Sequence, residues 1–103
     1  MAVLKVQPIC LNILMITVNF HKSFLKSYGK RIKNNQKLKL QAIDRVELFK
    51  TDKSNSLLKD HPLTGKKQGL RAFLITGDVR IVYHFVSDVF VEFLDIGSHN
   101  QVY

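Results

Sequence analysis

Hydrophobic side chains recur about every four residues over residues 20–49 and about every two residues in the last third of the chain. A period near four is typical of an amphipathic helix, whereas a period of two is typical of a strand. Lysines separate the members of the first helical stripe, which are Phe20, Phe24, Tyr28 and Ile32. A second stripe consists of Leu38, Ala42, Val46 and Phe49. The pattern predicts two helices joined by a short polar turn, with the break at Gly29 or at Asn34 and Asn35.

Segments rich in β-branched and aromatic residues lie on both sides of these helices. Residues 15–20 predict a strand that leads into the first helix, and residues 71–76, 79–86 and 89–96 predict three more. Gly-Asp and Ser-Asp pairs between the last three strands are tight-turn signals. The arrangement predicts an α+β domain in which two N-terminal helices pack on a small antiparallel β-sheet. The other face of the sheet is expected to stay partly open and to carry any chemistry.

The last hairpin predicts specific cross-strand partners. If the turn at residues 87–88 holds two residues, His84 faces Val91 and Arg80 faces Asp95. An opposite-charge pair at matched positions contributes a few tenths to ~1 kcal/mol. The Arg80 and Asp95 pair is therefore expected to help fix the register.

Residues 51–69 form a long polar connection between the helices and the last three strands. It contains the turn-forming residues Asn55, Pro62, Gly65 and Gly69. A connection of this length without a periodicity of its own is more often functional than a short one.

The first 14 residues differ from the rest of the chain. An apolar run begins near Pro8, but it is far shorter than the roughly 20 residues that a transmembrane helix needs. No small-residue cleavage site follows it, as a signal peptide would require. Our hypothesis is that Met15 is the native start, that residues 1–14 are an upstream extension and that residues 15–103 form a single domain. The alternative is a genuine additional strand or arm.

Composition narrows the function classes. The chain has 103 residues and a single cysteine, Cys10, which excludes an internal disulfide framework and a multi-cysteine zinc site. A single cysteine without a disulfide partner in the chain fits a reducing, cytoplasmic compartment. The formal net charge is +8; residues 21–50 carry nine cations and two acids, whereas residues 72–103 carry one cation and four acids. This asymmetry favours a nucleic acid, or an acidic protein, as the partner of the basic first half.

The four histidines fall into two groups, and no pair of them has the spacing of a helical metal site. His21 lies at a strand-to-helix junction and is expected to be a surface or capping residue, and His84 is expected to be partly buried and hydrogen-bonded within a strand. His61 and His99 lie outside the regular elements, where a rigid scaffold presents side chains to a substrate. Two such imidazoles suit metal-free cleavage of RNA, in which one group takes the 2′-OH proton and another protonates the leaving oxygen. Candidate phosphate ligands are Lys66, Lys67, Arg71 and Arg80.

Four segments carry a resemblance to a known family: DHPLTGK at residues 60–66, GLRAF at 69–73, GDVRIVY at 77–83 and DIGSH at 95–99. In this order and at this spacing they resemble the RelE/ParE superfamily of type II toxins. They are most similar to the YafQ-like mRNA interferases. The resemblance covers residues 15–103 and leaves the first 14 outside.

The resemblance implies a small toxin that cleaves mRNA in the ribosomal A site and is held inactive by a cognate antitoxin. It implies no cofactor and no membrane partner. The catalytic residues that it implies are His61, Asp78, His99 and Tyr103. In this reading His99 is the leading general acid or base, and His61 is a second proton-transfer group or a phosphate ligand. Asp78 orients a base or a histidine, and Tyr103 stacks on a nucleobase or donates a hydrogen bond. A further histidine of the family falls at Leu74, which cannot transfer a proton.

Two other functions stay open. One is a ParE-like toxin that inhibits DNA gyrase and cleaves nothing, against which the paired loop histidines argue. The other is a degenerate member that only binds its antitoxin, for which Leu74 is the main argument. RNA cleavage mapping beside a gyrase supercoiling assay separates them.

Overall fold

A computed structural model describes residues 15–103, and the hypothesis of an upstream extension at residues 1–14 lies outside this part of the chain. The strands are β1 (Thr17–Phe20), β2 (His61–Pro62), β3 (Arg71–Thr76), β4 (Val79–Ser87) and β5 (Phe90–Gly97). The helices are α1 (Lys22–Arg31), α2 (Gln36–Thr51) and α3 (His99–Val102). The strands form one sheet in the order β1-β5-β4-β3-β2, with β1 parallel to β5 and the other neighbours antiparallel. The predicted α+β class is confirmed, but the sheet is mixed rather than antiparallel, because β1 lies parallel to β5 at one edge.

Side-chain caps fix where the two long helices begin. The ring of His21 accepts a hydrogen bond from the backbone N–H of Ser23 at 3.1 Å and so caps α1, as expected. Oδ1 of Asn35 accepts from the N–H of Leu38 at 3.1 Å and caps α2. Such caps satisfy N–H groups that have no partner within the helix. The break therefore falls at Asn34 and Asn35, and Gly29 lies inside α1.

The main core lies between α1, α2 and one face of the sheet. Its centre is a group of aromatic rings, in which Phe49 of α2 stacks on Phe73 of β3 with ring centroids 4.5 Å apart. Phe49, Phe73, Tyr83 and Phe93 are all fully buried. Because side chains alternate along a strand, the other face carries a second, smaller cluster, in which Ala72 and Val82 pack with Val102 of α3.

The predicted register of the last hairpin is wrong. Arg80 lies opposite Gly97, and His84 lies opposite Glu92. Two irregularities interrupt the β4–β5 ladder, and each extra residue on one strand shifts all the pairs that follow. Arg80 consequently does not face Asp95, as the sequence had predicted.

The long connection and the tail contain structure that the sequence pattern did not predict. The edge strand β2 pairs with β3 and is flanked by 3-10 turns at Ser56–Leu58 and Gly65–Lys67. The tail forms α3, which a capping box between Ser98 and Gln101 begins and which buries Val102. In residues 15–103 no helix is long and apolar enough to cross a membrane.

Candidate active site

The short helix α3 brings His99 to the turn between β3 and β4. Ser98 and Gln101 cap its start, where the N–H of Ser98 donates to Oε1 of Gln101 at 2.7 Å. Gly97 permits this approach, because a Cβ there would lie 2.7 Å from the same oxygen. The N–H of His99 then donates to Oδ2 of Asp78 at 3.2 Å. The imidazole of His99 is exposed at this end of the sheet.

Asp78 also holds Arg80. A terminal nitrogen of the guanidinium donates to Oδ1 of Asp78 at 3.0 Å, and Nε donates to the backbone oxygen of the same residue at 3.2 Å. The side chain of Arg80 is only 17% exposed, whereas that of Asp78 is 60% exposed. The guanidinium is therefore held at the surface in one orientation.

Tyr103 completes this group of residues. The ring of His99 meets the ring of Tyr103 edge-on, with centroids 4.7 Å apart and planes at 89°. The guanidinium carbon of Arg80 lies 5.6 Å from the centroid of the Tyr103 ring, in a cation–π contact. Four residues thus converge, and we call Asp78, Arg80, His99 and Tyr103 the His99 cluster.

Leu74 borders the His99 cluster. It pairs with Arg80 across the β3–β4 ladder, and directly paired side chains lie on the same face of a sheet. Leu74 is half-buried there. The position at which the family resemblance implies a histidine is therefore opposite Arg80 on the same face of the sheet, although its side chain is a hydrocarbon.

His61 lies on the same face of the sheet as α3. It pairs with Ala72 of β3, which pairs with Val82 of β4, and both of these contact Val102 of α3. Neighbouring strands lie roughly 4.8 Å apart, so His61 stands roughly 10 Å across the sheet from β4. Its Nδ1 is 2.8 Å from the carbonyl oxygen of Lys59. Because a carbonyl can only accept, this contact requires a proton on Nδ1 and leaves Nε2 facing away from the carbonyl.

The predicted phosphate ligands do not all share this face. Lys66 and Lys67 lie in the 3-10 turn that follows β2. Arg71, by contrast, pairs with the core residue Tyr83 and so lies on the face opposite the His99 cluster. Arg80 is in the cluster itself, bound to Asp78 rather than to Asp95.

The ion pair of Arg71 with Asp60 was not predicted from the sequence. Nε of Arg71 donates to Oδ1 of Asp60 at 3.0 Å, and the hydroxyl of Tyr83 donates to the other carboxylate oxygen. Burial and the neighbouring Asp60 carboxylate raise the pKa of Tyr83. Burial opposes the charge of Arg71, but its hydrogen bonds to Tyr83 and Asp60 outweigh this and raise its pKa. The sequence signal for a role of Asp60 was its position directly before His61 in the first family segment.

His84 has a structural role, as the sequence predicted. Its Nε2 lies 3.1 Å from Oε1 of Glu92, whose other oxygen accepts a hydrogen bond from Asn19 at 2.9 Å. The hydrogen bond with His84, and to a lesser degree that from Asn19, lowers the pKa of Glu92. These contacts join β1, β5 and β4. Within residues 15–103, no three His, Cys, Asp or Glu side chains come together as metal ligands.

Two cavities lie away from the His99 cluster, and neither is lined by His61 or His99. An apolar cavity of about 310 Å³ lies between α1, α2 and the sheet, with Phe20, Leu25 and Ile43 among its lining residues. A polar cavity of about 300 Å³ lies beside the segment after α2, and Lys53, Lys59 and Arg71 are among the residues that line it. His61 and His99 therefore lie on the same face of the sheet, but neither cavity joins them and their rings are not in contact.

The chain matches a known protein family over almost all of the described residues. Residues 16–103 match the family model described as the bacterial toxin of type II toxin-antitoxin system, YafQ. The chain belongs to this family of toxins. No curated protein sequence matches it.

Solved structures of toxins have the same fold. A copper-bound mutant of a toxin from Helicobacter pylori is 31% identical, with a TM-score of 0.64 over 86% of this chain and 100% of that one. The E. coli DinJ–YafQ toxin–antitoxin complex holds a chain that is 23% identical, with a TM-score of 0.61 over 86% and 98%. A YoeB/ParE toxin from Agrobacterium tumefaciens is 21% identical, with a TM-score of 0.67 over 82% and 99%.

Proposed function

We propose that this toxin is an endoribonuclease that cleaves mRNA by transferring a ribose 2′-OH onto the adjacent phosphate. The observation that carries the proposal is the His99 cluster. It joins a titratable imidazole, a fixed guanidinium and an aromatic ring at one exposed position on a protein of net charge +8. An imidazole suits proton transfer, a guanidinium suits phosphate binding and an aromatic ring suits stacking on a base.

The chemistry needs two proton transfers. A base takes the proton of the 2′-OH, the O2′–P bond forms and the P–O5′ bond breaks. An acid then protonates the leaving 5′-oxygen, so the products carry a 2′,3′-cyclic phosphate and a 5′-hydroxyl. Histidine suits both tasks because its pKa is near neutrality. We assign His99 as the leading proton-transfer group and His61 as the second group or a phosphate ligand.

The other members of the cluster bind and orient the substrate. The guanidinium of Arg80 is oriented to stabilise charge that develops on the phosphoryl oxygens. Asp78 fixes Arg80 and the start of α3 together. The exposed ring of Tyr103 is available to stack on a nucleobase, a contact that contributes ~1–3 kcal/mol. Lys66 and Lys67 add positive charge in the 3-10 turn that follows β2.

The substrate that we propose is mRNA on the ribosome. The catalytic groups are few, and Leu74, opposite Arg80, stands where the family resemblance implies a further histidine. A ribosome that holds the scissile linkage in a reactive conformation compensates for this, because positioning alone removes much of a barrier.

We also propose a cognate antitoxin as a binding partner. Two findings support it: the match to a toxin–antitoxin family and the E. coli complex of a similar chain with DinJ. The net charge of +8 favours an acidic binding segment in that partner.

The test is to map cleavage sites on translating ribosomes with the wild type, with His99→Ala and with His84→Gln as a matched control. We expect the wild type and the control to cleave mRNA and arrest growth, and His99→Ala to do neither while unfolding at the same temperature. A gyrase supercoiling assay runs in parallel. Inhibition of gyrase without RNA cleavage, or full cleavage by His99→Ala, would contradict the assignment.

A further inference from the structure

A second basic site lies on the face of the sheet opposite the His99 cluster. It is the polar cavity of about 300 Å³ between the segment after α2 and the start of β3. Three cations line it, Lys53, Lys59 and Arg71, and Ser54 and Ser56 add hydroxyl groups. We call it the Arg71 pocket. Nothing in the chemistry proposed above uses it.

The guanidinium of Arg71 is held in place by Asp60. This carboxylate binds Nε of Arg71 at 3.0 Å and accepts a further hydrogen bond from Tyr83. The side chain of Asp60 is only 10% exposed, while that of Arg71 is 35% exposed. Asp60 thus occupies the Nε donor and leaves donors on the terminal nitrogens of the guanidinium available to a ligand.

The two lysines are also positioned by the fold. Nζ of Lys53 lies 5.4 Å from the centroid of the Phe85 ring. Lys59 adopts a φ of 47°, which is uncommon for a residue with a side chain, and its carbonyl oxygen contacts the ring of His61. Within residues 15–103 neither lysine forms an ion pair. With Asp60 counted, the pocket carries a formal charge of +2.

We propose that the Arg71 pocket binds a backbone phosphate of RNA, several nucleotides from the linkage that is cleaved. This inference rests on the proposed nuclease function. Arginine and lysine donors around a cavity match the oxygens of a phosphodiester. An acidic peptide is the competing ligand, but RNA repeats its phosphate at every nucleotide, so one strand reaches both the pocket and the His99 cluster.

The topology provides a route between the two sites. Within residues 15–103, β2 is the edge strand of the sheet, so no further strand of this part of the chain blocks a path from one face to the other. Lys59 and Asp60 line the pocket on one side, and His61 follows directly on the face that carries α3. A single strand that passes around this edge meets His61 on its way to the His99 cluster.

The test measures binding of a single-stranded RNA that is 2′-O-methylated at every nucleotide and therefore cannot be cleaved. The double variant Lys53→Gln/Lys59→Gln is compared with Lys26→Gln/Lys37→Gln, which removes the same charge from exposed positions on α1 and α2. We expect the pocket variant to bind about tenfold more weakly, and the salt dependence of log K to lose a slope of about 0.7 for one phosphate contact. The control should change affinity less than twofold.

The same variants on ribosomes without mRNA identify the source of the phosphate. Weaker binding to the free RNA alone assigns it to the mRNA strand, weaker binding to ribosomes alone assigns it to ribosomal RNA, and weaker binding to both shows that the pocket accepts a phosphate from either RNA. Equal losses in the pocket variant and the control overturn the proposal. A polyglutamate peptide is the probe for an acidic partner. The proposal is also overturned if the pocket variant loses affinity only for this peptide and not for RNA. Because the methylated RNA is never cut, these results stand apart from the cleavage assay, whose failure would count against the nuclease function alone.

Discussion

The carboxylate of Asp78 accepts a hydrogen bond from the backbone amide of His99 at 3.2 Å, although the two residues are 21 positions apart in the chain. The same carboxylate binds Arg80 at 3.0 Å. One side chain of the β3–β4 turn therefore sets both the start of α3 and the orientation of the guanidinium. Asp78 thereby holds α3 against the sheet at the position where the proposed chemistry takes place.

Removing this carboxylate should impair cleavage more than folding. We expect Asp78→Ala to slow single-turnover RNA cleavage by about 100-fold, because small misplacements of reacting groups are costly. Stability should change by at most about 1 kcal/mol, since the carboxylate of Asp78 is 60% exposed and solvent screens its attraction to Arg80. Asp78→Asn keeps an oxygen that can accept from the His99 amide and should be intermediate. A rate for Asp78→Ala equal to the wild type would show that the contact does not position the site.

Tyr103 is predicted to act through its ring rather than its hydroxyl. The ring contacts both His99 and Arg80, and a base stacked on it gains ~1–3 kcal/mol. We therefore expect Tyr103→Ala to raise KM for RNA about 5- to 100-fold and Tyr103→Phe to stay within about threefold of the wild type. Steady-state kinetics on a fluorescent RNA measure this. A Phe variant as defective as the Ala variant would assign the role to the hydroxyl.

The long helices follow from the sequence because local signals agree there. The stripe from Phe24 to Ile32 buries one face of α1 and extends to its C-cap, and a polar residue caps each helix. The helix α3 was missed because four residues show no periodicity. Its capping box, Ser98 with Gln101, was the signal that could have predicted it.

Local signals could not predict on which face of the sheet Arg71 and Arg80 lie. A regular two-residue turn after Thr76 would pair Ile75 with Arg80 and place Arg80 on the same face as Arg71. The irregularity between Leu74 and Thr76 instead pairs Arg80 with Leu74, on the opposite face. A shift of one residue in register reverses which face a side chain occupies, and no local sequence signal announces this one.

The ion pair that replaces the expected Arg80–Asp95 contact should contribute to stability. Arg31 of α1 binds Oδ1 of Asp95 at 3.1 Å and the carbonyl oxygen of Ile96 at 2.9 Å. We expect Asp95→Ala to lower the free energy of unfolding by about 1–2 kcal/mol, because it leaves a partly buried guanidinium without its counter-ion. Thermal unfolding measures the loss. The control Asp88→Ala, in an exposed turn, should have less than half of this effect, and equal effects would contradict the prediction.

Glu92 should make folding sensitive to acid. The hydrogen bonds with His84 and Asn19 lower its pKa below the ordinary value of 4.5. A carboxyl group whose pKa is lower in the folded state stabilises that state above its ordinary pKa, and the contribution is lost as the pH falls through the folded value. We expect the wild type to exceed Glu92→Gln in urea midpoint at pH 6 and the difference to shrink towards pH 3. A difference that is constant over this range would contradict the prediction.

Leu74 offers the sharpest test of how the site works, because it is directly paired with Arg80 on the face that carries the His99 cluster. The family resemblance implies a histidine there. Leu74→His would add an imidazole beside the guanidinium, and a positioned acid or base contributes about 10²- to 10⁴-fold to a rate. Since the new side chain is not placed by evolved contacts, we expect a gain at or below the lower end of this range, about 10- to 100-fold in single-turnover cleavage. Leu74→Gln is the control, because it is polar but does not titrate near neutrality. A similar gain in the Gln variant would attribute the effect to polarity, whereas no gain in a folded His variant would mean that His99 and His61 already supply the proton transfers that the reaction uses.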